Sequence, residues 1–164
     1  MDNNYDWSKF TVKQPTNASV KEIEKLLSTQ AGFETWFLRE AIFMSSSGIK
    51  RKKQEVIQPT DTYRWMWYGY PDSVFETGEI LSAEADEFIR FRFGTAGIVS
   101  IKILSENNLT IIELIQTQIP TNEEAKVSWH LGCKTGWTFY LLNLKSILEG
   151  GLDLRNRNNE LRLD

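Results

Sequence analysis

Thr110-Ile111-Ile112-Glu113-Leu114-Ile115-Gln116, followed by Thr117-Gln118-Ile119-Pro120 and Thr121-Asn122-Glu123-Glu124, is the stretch in which the hydrophobic period of the chain changes. Upstream, apolar residues alternate or run in short groups between turn residues, as strands do. Downstream, Trp129, Cys133, Trp137, Tyr140, Leu141, Leu144 and Leu148 recur at spacings of three and four, while Lys134, Thr138, Lys145 and Glu149 lie elsewhere on the wheel. That is one face of a long helix. Pro120 closes the sheet because it has no N–H to give to a ladder. Thr121 reads as an N-cap and Glu124 as its reciprocal partner in a capping box. Gly150-Gly151 ends the helix, and Gly132 and Gly136 are places where it can bend or break. From Trp137 to Leu148 such a helix rises ~17 Å, and a continuous run from Glu123 would reach ~39 Å. Either length crosses a sheet face.

Working outward toward the N-terminus, Val99, Ile101 and Ile103 alternate with Ser100 and Lys102, and Asn107-Asn108 supplies a hairpin turn that tolerates positive φ. In Phe88-Ile89-Arg90-Phe91-Arg92-Phe93, Ile89, Phe91 and Phe93 share a face and the arginines point away, the mark of a sheet covered on one side. Glu79-Ile80-Leu81, Tyr63 to Tyr68, Glu55-Val56-Ile57 and Ala41 to Met44 extend the meander. Tyr63, Trp65 and Trp67 lie on one side of their strand. Lys50-Arg51-Lys52-Lys53, after Ser45 to Gly48, reads as a solvated hairpin tip. Nearer the start, Phe10 to Lys13 begins a strand that Pro15 ends. Val20, Ile23 and Leu27 give the stretch from Ala18 to Leu27 a buried helical face, capped by Asn17 or Ser19. Phe33, Trp36 and Phe37 mark a second short helix. The fold class is therefore α+β: about six or seven antiparallel strands, two short helices after the first strand, and a long C-terminal helix. Residues 1–152 form one domain, and the polar tail of residues 153–164 is expected to fray.

Composition narrows the function classes. The 164 residues carry 19 basic and 22 acidic side chains, a net charge of −3, so no global field draws the chain to nucleic acid. The lone Cys133 forms no internal disulfide and suits a reducing compartment, and the start, Met1 to Asp6, lacks the charge pattern of a signal peptide. No stretch approaches the ~20 apolar residues of a membrane span. The expected location is the cytoplasm. Six Trp, nine Phe and five Tyr are either a bulky core or the wall of a ligand pocket.

Several short strings in this order resemble the family similar to the activator of heat-shock-protein-90 ATPase, within the START/SRPBCC superfamily. Gly32-Phe33 ahead of Trp36-Phe37 looks like its "gl..Wf" element, and Thr77-Gly78-Glu79-Ile80 resembles its "G.v" strand. Gln116 to Pro120 resembles its "Q..ip" strand end. His130, Gly136-Trp137, Leu144-Lys145 and Leu148 to Gly151 resemble its "h..GW...l..Lk..leg" helix. The resemblance covers nearly the whole chain. It departs in the first helix, where the family often carries Val-Trp and this chain has Glu22-Ile23-Glu24. It implies a helix-grip fold, a sheet of about seven strands gripping the C-terminal helix around a pocket. Superfamily relatives bind lipids, hormones or polyketides, some are cyclases or hydrolases, and the cochaperones use the domain to bind a protein partner.

Three functional expectations follow. The first is a small hydrophobic molecule held between sheet and helix by Trp36, Trp65, Trp67, Phe91, Phe93, Gln116, His130, Cys133, Trp137, Tyr140 and Leu141. The second is a protein-interaction module with a chaperone or other protein as partner, using a surface rather than a pocket. The third is a cyclase- or hydrolase-type enzyme using His130 and a carboxylate. No cofactor and no metal site is expected: His130 and Cys133 are the only residues of their types, an incomplete ligand set for zinc. An apolar helix face also raises the Cys133 thiol pKa, which argues against a nucleophile. Glu113 and Gln116 point to opposite faces of their strand, so at most one meets the interior.

Overall fold

The structure is a computed structural model, described for residues 5–158, 160 and 161. Seven antiparallel strands form one open sheet in the order β1-β7-β6-β5-β4-β3-β2. They are β1 (Phe10–Thr16), β2 (Glu40–Met44), β3 (Thr62–Met66), β4 (Glu76–Leu81), β5 (Glu87–Arg92), β6 (Ile98–Glu106) and β7 (Leu109–Thr117). Helices α1 (Val20–Leu27) and α2 (Gln30–Trp36) link β1 to β2, and a helical run after β7 packs back against β1. This is the helix-grip arrangement. Asn107 and Asn108 (φ 52° and 63°) make the tight turn between β6 and β7, which sets a register pairing Ile101 with Leu114 and Val99 with Gln116.

Period-two alternation fixes which face is buried. Ile89 and Phe91 of β5, Val99 and Ile101 of β6, and Ile112 and Leu114 of β7 all lie under the helices at 5% exposure or less. Tyr63 of β3 sits opposite Gly78 of β4 and reaches over it to donate its hydroxyl to the Arg92 carbonyl at 2.6 Å. A Cβ at Gly78 would lie 2.2 Å from that carbonyl oxygen and 2.5 Å from the tyrosine oxygen, so only glycine fits. Gly32 meets a similar constraint in α2. A Cβ there would come 2.7 Å from the carbonyl oxygens of Lys25 and Leu26, which hold the last turn of α1 against α2. Trp36 fastens the same junction by donating Nε1–H to the Leu26 carbonyl at 3.1 Å.

The capping of α1 falls to Ser19, whose hydroxyl accepts from Glu22 N while Glu22 accepts from Ser19 N. The C-terminal run differs from the expectation of a Thr121 cap. Asn122 caps α3 (Glu123–Ala125) by accepting from Ala125 N at 2.9 Å. The asparagine side chain is short enough to reach the third N–H directly, so the Thr121-Glu124 box does not form. A π-helical turn, Lys126–Leu131, then precedes α4 (Gly132–Leu148). The irregularity thus lies ahead of both glycines, and α4 runs through Gly132 and Gly136 unbroken.

Other local expectations are corrected. β1 continues through Pro15 to Thr16; it is an edge strand, where the missing N–H costs no ladder bond. Glu55 to Ile57 forms no strand. Val56 bridges to Thr29 and Ile57 N donates to the Ser28 carbonyl, so this segment covers the α1–α2 link. In the basic run, Arg51 turns inward onto buried Asp61 at 2.5 Å and Glu55, so the tip is only partly solvated. The tail does not fray at its beginning. Arg155, 7% exposed, donates to the carbonyls of Glu34, Thr35 and Leu38 at the C-terminal end of α2, and Asn143 of α4 binds Leu154 N and Asp153. These are the carbonyls a helix end leaves without partners, and a guanidinium suits that negative end. Residues 159 and 162–164 of the tail, and residues 1–4, lie outside the described residues.

Candidate functional site

The space expected to hold a ligand, between the middle of the sheet and α4, is filled. Trp65 is fully buried, stacked on Tyr63 with centroids 3.8 Å apart and on Phe33 at 5.5 Å, with Phe91 edge-on at 5.1 Å. Phe43, Trp36 and Leu141 complete this interior, each at 0% exposure. At the rim beside the first turns of α4 the packing opens into a groove of about 280 Å³. Three segments wall it: Phe37 after α2, the β3–β4 loop through Trp67, Tyr70 and Val74, and Phe93 after β5. The helix provides the floor with Ser128, Gly132, Cys133, Gly136, Trp137 and Tyr140.

Two features of the sequence make this opening. Gly132 and Gly136 stand one turn apart on the groove side of the helix. A Cβ at Gly136 would meet nothing within 4 Å, so the floor is low because the side chains are missing there. Each such glycine costs a helix interior about 1 kcal/mol relative to alanine. The second feature is the loop of residues 67–75, held out from the sheet by Arg39 on the Asp72 carboxylate at 2.6 Å and Arg64 on the Asp72 carbonyl at 3.2 Å. Tyr70 and Val74 remain 46% and 43% exposed at its lip.

The wall is aromatic and rigid. Phe37 lies 4.9 Å from Trp137, 4.8 Å from Tyr140 and 5.9 Å from Trp67 between ring centroids, and Phe93 lies 5.4 Å from Trp137. Trp137 is oriented by a buried chain: its Nε1–H donates to Gln116 Oε1 at 2.9 Å, and Gln116 Nε2 donates to the Ala96 carbonyl at 2.8 Å. Among the described residues no charged side chain lines the groove. Burial pushes the Tyr140 hydroxyl up to about 12 and pushes the Cys133 thiol upward as well, so both stay protonated at neutral pH. The groove therefore offers flat apolar surface and neutral donors, and it lacks the thiolate that a nucleophile needs.

Of the residues singled out from sequence, Trp67, Phe93, Cys133, Trp137 and Tyr140 come together at this groove. Trp36, Trp65, Phe91 and Leu141 belong to the solid interior, and Gln116 acts behind Trp137. His130 faces elsewhere. Fully buried, it donates Nδ1–H to the Trp7 carbonyl at 2.9 Å, and its Nε2 shares a hydrogen bond with the Tyr5 hydroxyl at 2.9 Å. A carbonyl only accepts, so Nδ1 carries a proton. Tyr5, Trp7 and Phe10 pack edge-on around the ring, and His130 pins the N-terminal segment to the π-helical turn. Both ring nitrogens are engaged by protein, and among the described residues His130 pairs with no carboxylate. The sequence reading missed Phe37 as a groove wall, together with Tyr70, Val74, Ser128 and the two glycines. Among the described residues no group of three or more His, Cys, Asp or Glu is placed to hold a metal ion.

Fold and groove together define a helix-grip protein with an uncharged aromatic cleft beside its C-terminal helix. No family model and no curated protein matches the sequence. Solved structures of the same fold do. A protein from Staphylococcus saprophyticus is similar with a TM-score of 0.67 at 18% identity, over 90% of this chain and 96% of that one. The Aha1 dimer from Colwellia psychrerythraea is similar with a TM-score of 0.61 at 15% identity, over 87% and 97%. DynU16, a protein of the dynemicin biosynthetic locus, gives 0.65 at 16%, over 92% of this chain and 50% of that one. Among the described residues no helix is long and apolar enough to cross a membrane.

Proposed function

We propose that the chain binds a small, uncharged, largely aromatic molecule in the groove between α4 and the β3–β4 loop, and that it does so as a cytoplasmic member of the family resembling the heat-shock-protein-90 ATPase activator. The observation that carries this reading is the pair of glycines under an aromatic wall. A solid core gains nothing from omitting side chains at Gly132 and Gly136, whereas a ligand that stacks on Trp137 and Tyr140 needs that space. A groove without charge disfavours a carboxylate or a cation, each of which would lose hydration with no counter-charge in return. Aromatic molecules with a neutral acceptor are the better fit, because Tyr140 keeps its proton to donate. Similarity in fold to a protein of a biosynthetic locus is compatible with such a ligand.

The competing reading, a module that docks another protein, draws on Val127, Leu131, Phe139 and Leu142, the exposed apolar residues of the C-terminal helical run. The ligand reading is tested by titrating neutral polycyclic aromatics, sterols and fatty acids while following Trp fluorescence and amide and side-chain chemical shifts. Saturable shifts at Trp67, Gly136, Trp137 and Tyr140 with the aromatics, and none with the fatty acids, are expected. Silence across the panel, or shifts centred on the second apolar cavity between Leu27, Ile57 and Ile89, would overturn it.

A further inference from the structure

A second apolar cavity, of about 280 Å³, opens between the end of α1, the segment of residues 56–59 and the β4–β5 corner. It shares no lining residue with the groove beside α4. It exists because two strands part early. β4 pairs with β5 only at Ile80–Phe91 and Leu81–Arg90, and the chain then leaves through residues 82–86 although β5 extends back to Glu87. Phe88 and Ile89 are left without a β4 neighbour on that edge. A bulge acts at the same place: Glu87 pairs with Lys102 and Ile89 with Ile101, so Phe88 is the extra residue. Strict alternation would send Phe88 to the opposite face from Ile89, and the bulge lets both line the cavity.

The walls are held apart by backbone bonds. Ile57 N–H donates to the Ser28 carbonyl at 2.9 Å, tying the segment to the end of α1, and Thr60 N–H donates to the Ile80 carbonyl at 2.8 Å, tying it to β4. Thr60 adopts φ 75°, a left-handed conformation that a β-branched residue takes only under strain. The next residue, Asp61, is gripped by the Arg51 guanidinium through both carboxylate oxygens. A segment fixed at both ends does not collapse into the gap. In the depth of the cavity Leu27, Ile57, Ile80 and Ile89 are 7% exposed or less, a purely aliphatic surface. Ser28 and Gln58 bring a hydroxyl and an amide to the mouth, beside the exposed Val56 and Ala83. Among the described residues no charged side chain lines this cavity. Glu84 follows Ala83 and Glu87 precedes Phe88 in the chain, and Arg90 is engaged by Glu84.

We propose that this cavity is a second binding site, and that it takes a neutral, unbranched aliphatic chain of roughly ten carbons whose small polar head rests against Ser28 and Gln58. Flexible methylenes follow aliphatic walls in which Phe88 is the one ring. A carboxylate head would lose hydration close to Glu84 and Glu87, with no cation in the lining to replace it. A fused ring system of sterol size exceeds the space. The site is separate from the aromatic groove, and the polycyclic aromatics, sterols and fatty acids that test the groove do not suit it, so the two readings fail independently.

The test is methyl nuclear magnetic resonance of the full chain, labelled at Ile, Leu and Val, titrated with 1-octanol and separately with octanoate at neutral pH. Saturable shifts with 1-octanol are expected at the methyls of Leu27, Ile57, Ile80 and Ile89, with the indole signals of Trp67 and Trp137 unmoved. Octanoate should bind at least about fivefold more weakly, for want of a counter-charge. Ala83→Leu sets a larger side chain at the exposed mouth and should weaken 1-octanol binding at least about tenfold. Unchanged indole signals at the groove verify that this variant is folded, and Val56→Trp, from another part of the rim, should have the same effect. No saturable shift up to the solubility limit of 1-octanol would overturn the proposal. So would shifts centred on the groove, octanoate binding as tightly as the alcohol, or undiminished binding to the folded variants.

Discussion

Two aromatic regions sit side by side in this molecule, one around Trp65 and one around Trp137, and only the second is open. Both are built from stacked and edge-on rings 4 to 6 Å apart, and Phe37 touches both. What separates them is what each faces. Trp65 faces Phe33, Phe43 and Tyr63, side chains that fill the space, whereas Trp137 shares its helix face with Gly132 and Gly136 and looks toward a loop held away from the sheet. Aromatic content alone therefore does not mark a pocket. The missing side chains opposite the rings do.

Substitutions can break or sharpen that contrast. The largest effect is expected at Trp65→Ala, which empties a fully buried site and should cost about 3–5 kcal/mol in denaturant unfolding. Trp67→Ala, at the partly exposed groove wall, should cost less than about half of that yet abolish saturable aromatic binding. Equal losses of stability at the two positions would erase the distinction between them. Next is Arg155→Ala. It strips two carbonyls of α2 and that of Leu38 just after it of their donor and leaves Asp153 without its main partner, so about 2–3 kcal/mol should be lost although the site lies in the polar tail. Gly78→Ala should cost about 1–3 kcal/mol, because its Cβ would collide with the Arg92 carbonyl and the Tyr63 ring.

The smallest effect is in pH. Burial raises the Tyr140 hydroxyl from 10.0 to about 12, so its contribution to stability is present below pH 10, declines above it, and is fully lost as pH rises through 12. Ultraviolet tyrosinate titration should show a step near pH 12 that Tyr140→Phe removes, with the more deeply buried Tyr63 ionising later still, and aromatic binding should stay flat from neutral pH up to the start of the Tyr140 step.

Much of the fold was legible because one physical rule, period, wrote it. Alternation at Ile89-Phe91 and Val99-Ile101 and the three-four spacing of Trp137, Tyr140, Leu141 and Leu144 named the strands and the helix that bury them. The groove was only half legible. Trp137 and Tyr140 stood out as apolar, but Gly132 and Gly136 read as weak points of a helix when their role is to leave space. Tyr70 and Val74 lie in a turn, and no periodicity says which way a loop leans. Arg155 was unreadable for a related reason: its partners include backbone carbonyls in and just after α2, which look alike in every sequence. The same holds for His130, whose polar partners are the Trp7 carbonyl and a tyrosine far away in the chain.

The most direct test of the central claim is calorimetric titration of the tightest neutral aromatic from the panel into the wild-type chain and into Gly136→Leu. The leucine side chain projects into the open floor, and replacing a mid-helix glycine should hold or raise helix stability by up to about 1 kcal/mol. The account requires affinity to fall at least tenfold while the unfolding midpoint stays level or rises. Undiminished binding to a folded Gly136→Leu chain would contradict it.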